Sequence, residues 1–324
     1  MPSEKYHKGN YLKRYYVSIF NGGKIAWNTA LYRLIKPFTR AIDKIQFGKA
    51  IKKDFSGARI CLIVGLPRSG STVICQAISK SIPSLPYTNL HYLFPSHGSN
   101  IFRKLTKNKN NDNDSLTNYH GYTASLIGVN EANEVLEWAK ESIDLEICRK
   151  YFSLFVEKMS PKSDETIILK NIRAFDTVEK IYKSSWSYNL IIIRVRRNLQ
   201  EIVESSLNVY LTTGTFHPVP DHLKKLEITD PIEFAVDQII GIEKVLDDQL
   251  ASIDAKSLYE ISYEDFCANP YKAIEKLCTE NLNIPKSSIT KLKSVERLQI
   301  STRKKVNGHV SKKIKNLLME KGIR

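Results

Sequence analysis

The chain has 324 residues, of which 42% are hydrophobic and 26% are charged, with 49 Lys and Arg against 34 Asp and Glu. This hydrophobic share supports a buried core and excludes a disordered chain, and no apolar run approaches the ~20 residues that cross a membrane. The formal net charge of +15 favours a polyanionic partner such as nucleic acid, acidic lipid, a sulfated or phosphorylated glycan, or a ligand with several phosphates.

Residues 1–56 are interpreted as a basic extension. The opening MPSEKYHKGNYLKRYY lacks the apolar stretch and cleavage site of a secretory signal, so we expect a cytoplasmic protein. Apolar residues then recur between Lys and Arg at the spacing of an amphipathic helix: Ile25, Leu31, Leu34, Ile35, Phe38, Ile42 and Ile45. This helix either packs on the main domain or makes peripheral contact with the inner membrane surface, since Trp27 and Tyr32 flank its apolar face.

Residues 57–324 predict one α/β domain with three layers, a central parallel sheet flanked by helices, because short β-branched runs alternate with helical segments. The predicted strands are 59–64, 166–169, 189–195 and 257–262, and the predicted helices are 71–81, 130–143, 145–159 and 230–251. The Asn- and Asp-rich segment 106–118 predicts a surface loop. Five scattered cysteines form no CxxC pair, so we expect reduced, mostly buried thiols.

The strongest local signal is a strand, a glycine loop and a helix at residues 58–81. The strand ARICLIV runs directly into residues 65–72, GLPRSGST. In this arrangement successive backbone N–H groups and a helix N-terminus converge, which suits a phosphate. A nucleoside-triphosphate loop carries Lys where this chain has Ser71, and Arg68 offers a cation nearby instead. The loop therefore predicts a phosphate site without the usual apparatus for γ-phosphoryl transfer.

The loop GLPRSGST resembles the 5′-phosphosulfate loop of sulfotransferases that use 3′-phosphoadenosine-5′-phosphosulfate (PAPS), in the P-R-S-G-[ST]-T form of tyrosylprotein and many bacterial members. In IIIRVRRNLQEIVESSL a strand ends at Arg197 and Ser205 follows eight residues later, which resembles the family's 3′-phosphate site. A guanidinium can bind a phosphate through two hydrogen bonds, and a hydroxyl can add another. The PAPS-binding residues that the resemblance implies are Pro67, Arg68, Ser69, Gly70, Ser71, Thr72, Arg197 and Ser205.

Two further segments resemble the same family, so that the similarity covers residues 58–310 in order. ISYEDFCANPYKAIEKL is similar to the late strand with its Y-E-D-[LF] and N-P signatures. Arg303 and Lys304 are similar to a basic segment that closes over the 3′-phosphate, although the family's R-K-G continues here with Lys305. The alternative for Arg303 and Lys304 is a solvated basic tail, and for Arg197 a solvated cluster with Arg194 and Arg196.

The chemistry needs an acceptor hydroxyl in line with the sulfur, a base for its proton, and positive charge at the oxygen that leaves. Arg68 and the loop amides can supply that charge. Lys170 follows the strand TIIL and resembles the family's strand-end Lys, which reaches toward the transferred group; the alternative is a surface lysine. We expect both to be catalytic residues.

The base is where the chain departs from the family pattern. The cytosolic members have K-x-H at this strand end, whereas this chain reads Lys170-Asn171-Ile172. Tyrosylprotein members use a Glu after the first helix, but the segment SIPSLPYTNLHYLFP contains no carboxylate. We therefore predict His91 as the catalytic base, because it is the nearest proton acceptor and its ordinary pKa of ~6.5 is suitable. Further candidates are His97, His120 and Glu131.

The resemblance implies a sulfotransferase that uses PAPS without a metal and acts on an acceptor hydroxyl. We favour a carbohydrate or glycolipid acceptor, bound between residues 88–159 and the loop GTFHPVP. Two alternatives stay open: a variant P-loop nucleotide kinase or NTPase, and a non-enzymatic basic protein that binds membrane or nucleic acid. A sulfotransferase should bind nucleic acid only nonspecifically.

Overall fold

The computed structural model describes residues 55–94, 98–106, 129–132, 144–291 and 306–323, together with residues 139 and 295. In this part of the chain five parallel strands form one sheet in the order β2-β3-β1-β4-β5. The strands are β1 Arg59–Gly65, β2 Ser84–Pro86, β3 Thr166–Lys170, β4 Asn189–Arg196 and β5 Leu258–Ser262. The predicted α/β fold with a central parallel sheet is confirmed.

Helices connect these strands and cover both faces of the sheet. In chain order they are α1 Ser71–Ser81, α2 Asn89–Leu93, α3 Gly98–Thr106, α4 Leu145–Met159, α5 Val178–Ser184, α6 Leu199–Thr213, α7 Pro231–Leu250, α8 Tyr263–Ala268, α9 Pro270–Lys276 and α10 Gly308–Glu320. Helix α7 begins as the sequence predicts, because Asp230 accepts a 2.8 Å hydrogen bond from the N–H of Ile232 and Pro231 occupies the first turn.

The three layers follow from the alternation of side chains along β1. Ile60 and Leu62 belong to the apolar core beneath α4, α6 and α7. Cys61 and Ile63 point to the opposite face and belong to the core formed with α1, α8 and α9. Because successive residues of a strand face opposite sides of the sheet, an uninterrupted apolar strand requires cover on both faces.

Two details differ from the sequence predictions. Strand β2 was not predicted, because it has three residues, ends at Pro86 and, among the described strands, pairs with β3 alone at the edge of the sheet. The predicted helix 130–143 is wrong at its start, where Glu131 forms a parallel bridge with Lys170. Most of the remainder of that helix, and residues 107–118 of the predicted loop, lie outside the described residues.

The five cysteines are buried and unpaired, as predicted, and burial raises the pKa of Cys75 to about 12, which keeps its thiol protonated. None of the described helices has both the length and the apolar character needed to cross a membrane. The division at residue 57 stays a prediction, because residues 1–54 lie outside the described part. The first described residue, Phe55, packs against the core of the domain.

Candidate active site

The phosphate loop leaves β1 at the carboxyl edge of the sheet and leads directly into α1. Its conformation depends on Gly70, which has φ of 92°, in the left-handed region. A Cβ added at Gly70 would overlap the ring of Tyr263, which comes from the start of α8. Helix α1 begins at Ser71, so its first backbone N–H groups lie at the end of the loop. A residue with a side chain cannot replace Gly70 without displacing Tyr263.

The loop residues provide hydrogen-bond donors and no acidic group. Pro67 and Ser69 are buried, and so are Ser71 and Thr72 in the first turn of α1, which contains no Asp or Glu. The hydroxyl of Ser69 has no hydrogen-bond partner among the described residues. Leaving such a group unsatisfied costs about 1–3 kcal/mol, so a polar ligand that reached it would be favoured. This loop suits an anionic group.

Arg68 connects the loop to the second predicted phosphate motif. Its Nε donates a 3.0 Å hydrogen bond to Oγ of Ser205, which lies on α6. Nη1 of Arg197 donates a 3.1 Å hydrogen bond to the backbone oxygen of Arg68. The two motifs that were identified separately in the sequence therefore meet at one place on the carboxyl edge of the sheet.

Arg197 follows the last residue of β4, and its side chain is only 12% exposed. Its Nε and Nη2 donate hydrogen bonds of 3.2 and 2.8 Å to Oε2 of Glu201, and its guanidinium lies 4.7 Å from the centre of the Tyr263 ring. Tyr263 thus contacts both Arg197 and the position of Gly70. The YEDF segment was recognised in the sequence only as a resemblance, without this contact.

The neighbouring arginines have a different environment. Arg194 is buried and pairs with three carboxylates, those of Glu243, Asp247 and Glu260. Arg196 is about half exposed and pairs with Glu260 at 3.0 Å. These two side chains belong to an ion cluster between β4, α7 and β5. They do not share the contacts of Arg197 with the phosphate loop.

Lys170 is the last residue of β3, and its side chain is 3% exposed. Its Nζ donates a 3.0 Å hydrogen bond to Oε1 of Glu131, while Nε of Arg173 lies 3.5 Å from Oε2 of the same carboxylate. Burial raises the pKa of Glu131, but Lys170 and Arg173 outweigh this effect and hold the pKa below its usual range. His217 acts in the same direction. The site therefore contains an ionised carboxylate beside the strand-end lysine.

His91 is fully buried in α2. Its Nδ1 accepts a 3.1 Å hydrogen bond from the N–H of Thr88, and its Nε2 lies 3.1 Å from Oγ of Ser99. That hydroxyl donates to the backbone oxygen of Met159 at 2.6 Å, so Nε2 is the donor and the ring is neutral. Burial lowers the pKa of His91 to about 3. Nδ1 binds the N-cap residue of α2 and Nε2 binds a residue of α3, a geometry that does not favour the predicted role of base.

The remaining predicted residues, Arg303, Lys304, His97 and His120, lie outside the described residues. Glu131 had only a secondary place among the sequence candidates. Its contact with Lys170 was not predicted, because 39 residues separate the two and no local pattern links them. The sequence offered only the acidic side chain itself as a signal, and that signal is weak.

Comparisons with known proteins show the family and the fold of this chain. The model of the Sulfotransferase family matches residues 61–285. No curated protein matches the sequence. Sulfotransferase STF1 from Mycobacterium tuberculosis H37Rv is 11% identical, with a TM-score of 0.55 over 99% of this chain and 93% of that one. Sulfotransferase STF9 from Mycobacterium avium is also 11% identical, with a TM-score of 0.50 over 87% and 72%. The structures share the fold, and the family match shows that the chain belongs to the sulfotransferase family, whose members transfer sulfuryl groups.

Proposed function

We propose that this protein transfers the sulfuryl group of PAPS to a hydroxyl of its acceptor. The observation that carries the proposal is the junction of Arg68, Ser205 and Arg197, linked by hydrogen bonds of 3.0 and 3.1 Å. A nucleotide with phosphate groups at both the 5′ and the 3′ position of its ribose needs two anion sites held at a constant separation. Hydrogen bonds between the two motifs provide that separation.

In this proposal residues 67–72 bind the 5′-phosphosulfate, while Arg197 and Ser205 bind the 3′-phosphate. Arg68 supplies positive charge at the bridging oxygen, which becomes part of a phosphate when its bond to sulfur breaks. Arg303 and Lys304 are proposed to add positive charge at the 3′-phosphate. No metal is required, because arginine and lysine side chains supply the charge that a metal ion supplies in nucleoside-triphosphate enzymes.

The geometry supports Glu131, rather than His91, as the proposed base. A bond forms between sulfur and the acceptor oxygen as the bond to the bridging oxygen breaks, and the hydroxyl proton passes to the Glu131 carboxylate. Lys170 holds that carboxylate at 3.0 Å and is proposed to stabilise negative charge on the transferred group. His91 has no nitrogen available for this step, since both ring nitrogens are hydrogen-bonded within the fold.

We propose a carbohydrate or glycolipid hydroxyl as the acceptor. Asn130 precedes Glu131 in the chain, and its Nδ2 donates a 2.6 Å hydrogen bond to Oδ1 of Asn89. These two side-chain amides are polar groups of the kind that bind sugar hydroxyls. His217 is exposed on the loop GTFHPVP and contributes to the electrostatics of Glu131. A basic extension at residues 1–56 would suit a lipid-linked acceptor at the inner membrane surface of a cytoplasmic enzyme.

Calorimetry tests the cofactor. The protein is titrated with 3′-phosphoadenosine-5′-phosphate in the absence of metal, and separately with ATP in the presence of Mg²⁺. We expect the bisphosphate to bind tightly without metal and more strongly than Mg-ATP. A preference for Mg-ATP would contradict the proposal and favour a variant P-loop kinase.

A second experiment tests the acceptor class once the cofactor is established. It measures the transfer of radiolabelled sulfate from PAPS to a panel of glycans, glycolipids, peptides and phenols. Labelling only of peptides or phenols would contradict a carbohydrate acceptor.

A further inference from the structure

Glu201 holds the guanidinium of Arg197 from the first turn of α6. Both Nε and Nη2 of Arg197 donate to the same oxygen, Oε2 of Glu201. Glu201 is fixed in turn, because its N–H donates a 3.1 Å hydrogen bond to Oδ1 of Asn198, the N-cap residue of α6. The N–H of Asn198 donates to Oε1 of Glu264 on α8 at 3.2 Å. This chain of contacts joins Arg197 to two helices.

The contacts of Arg197 restrict its orientation on three sides. Glu201 accepts from one edge of the guanidinium, the backbone oxygen of Arg68 accepts from Nη1, and the ring of Tyr263 lies against its face. A guanidinium has five N–H bonds, and these contacts use three of them. Among the described residues, one N–H on each terminal nitrogen is left to meet a ligand, as required for a two-point contact with a phosphate.

We propose that Glu201 is a positioning residue that aims these two N–H bonds at the 3′-phosphate and so sets the preference for nucleotides that carry one. The inference rests on the proposed function, since it needs Arg197 to bind the 3′-phosphate. The negative charge of Glu201 does not repel the ligand strongly, because Arg197 neutralises it at 2.8 Å and its side chain is 42% exposed to screening solvent.

The test compares two ligands that differ only in the 3′-phosphate: 3′-phosphoadenosine-5′-phosphate and adenosine 5′-phosphate. Affinities are measured by calorimetry for the unaltered protein, Glu201→Ala and Glu201→Gln. We expect Glu201→Ala to lower the affinity for the bisphosphate about tenfold and to change the affinity for the monophosphate less than twofold. Only the contact with the 3′-phosphate depends on the orientation of Arg197. Glu201→Gln should lie between, since its amide oxygen can still accept from Arg197.

Glu179→Gln is the matched control. Glu179 forms an ion pair of the same i,i+4 spacing with Lys183, at 2.6 Å, on the exposed surface of α5. This variant should bind both nucleotides as the unaltered protein does. A general loss of stability from removing a helix carboxylate would also appear in Glu179→Gln, whereas a change in the orientation of Arg197 would not.

Two results would overturn the inference. They are an unchanged ratio of the two affinities in Glu201→Ala, which includes equal weakening of both nucleotides, and tighter binding of the bisphosphate. Glu201→Gln keeps the test open if Glu201→Ala does not fold. The proposed function fails differently: the unaltered protein would then bind the two nucleotides equally. A preference of undiminished size in both Glu201 variants would contradict only the role of Glu201.

Discussion

Arg68 and Ser205 are 137 residues apart in the chain, yet Nε of Arg68 donates a 3.0 Å hydrogen bond to Oγ of Ser205. Arg68 follows β1 and Ser205 lies on the helix after β4, and these strands are neighbours in the sheet. Parallel pairing brings the carboxyl ends of both strands to one edge, so the loops that follow them meet there. The contact joins the two phosphate motifs into one surface.

Replacing either phosphate-site arginine should weaken nucleotide binding. Arg68→Ala and Arg197→Ala each remove charge-assisted hydrogen bonds, which are worth about 1.5–3 kcal/mol, or roughly 10- to 100-fold in affinity. Calorimetry with 3′-phosphoadenosine-5′-phosphate measures the loss. Arg196→Ala is the control, because Arg196 is half exposed and pairs with Glu260 away from the loop. Unchanged affinity in both site variants would remove the basis of the proposed cofactor.

Gly70→Ala should destabilise the fold by more than its backbone conformation alone explains. The new Cβ would overlap the Tyr263 ring as well as occupy a φ of 92°. Gly57→Ala measures the cost of the backbone conformation alone, since Gly57 has φ of 78° and open space around it. We expect about 1 kcal/mol for Gly57→Ala and at least twice that for Gly70→Ala in denaturant unfolding. Equal losses would mean that the Tyr263 contact is easily relaxed.

Glu131→Gln should reduce turnover at least about 100-fold with little change in nucleotide affinity, because it removes a proton acceptor but no proposed phosphate contact. The base must be ionised to act. Lys170 and Arg173 hold the pKa of Glu131 below the ordinary 4.5, so activity should fall only as pH drops beneath that value. The pH profile of kcat/KM measures this. A fall in activity centred near pH 6.5 would instead indicate a histidine base.

His91 should make stability depend on pH. The unfolded chain takes up a proton at this residue near pH 6.5, whereas burial holds the folded pKa at about 3. The unfolded state therefore binds more protons between these values, and the free energy of unfolding falls as pH falls through this interval. Between pH 6.5 and 5 this residue alone should lower the free energy of unfolding by about 1.6 kcal/mol.

The His91 prediction is measured by denaturant unfolding at several pH values. His91→Gln should be less stable than the unaltered protein at pH 7, because it disrupts the contacts with Thr88 and Ser99, but should lose less stability on acidification. Its turnover, measured where it is folded, should remain within about tenfold of normal. An abolished turnover with intact nucleotide binding would restore His91 as the base.

Local patterns in the sequence were sufficient for strands β1, β3, β4 and β5, for helices α1, α4 and α7, and for the phosphate loop. Apolar runs such as ARICLIV, the glycines at 65 and 70 and the cap at Asp230 each act over a few residues, so their structural effect can be inferred without the rest of the chain. The spacing of Arg197 and Ser205 is equally local, because one helix carries the second residue at a constant distance from the strand end.

Only the tertiary structure decided which side chains face each other across that edge. Glu131 reaches Lys170 through a bridge between segments 39 residues apart, and Tyr263 reaches Gly70 and Arg197 from the end of the edge strand β5. His91 is locally indistinguishable from a catalytic histidine, and its burial depends on α3 and α4 packing around it. Burial and ion pairing depend on distant segments, and these determine which groups are ionised and able to react.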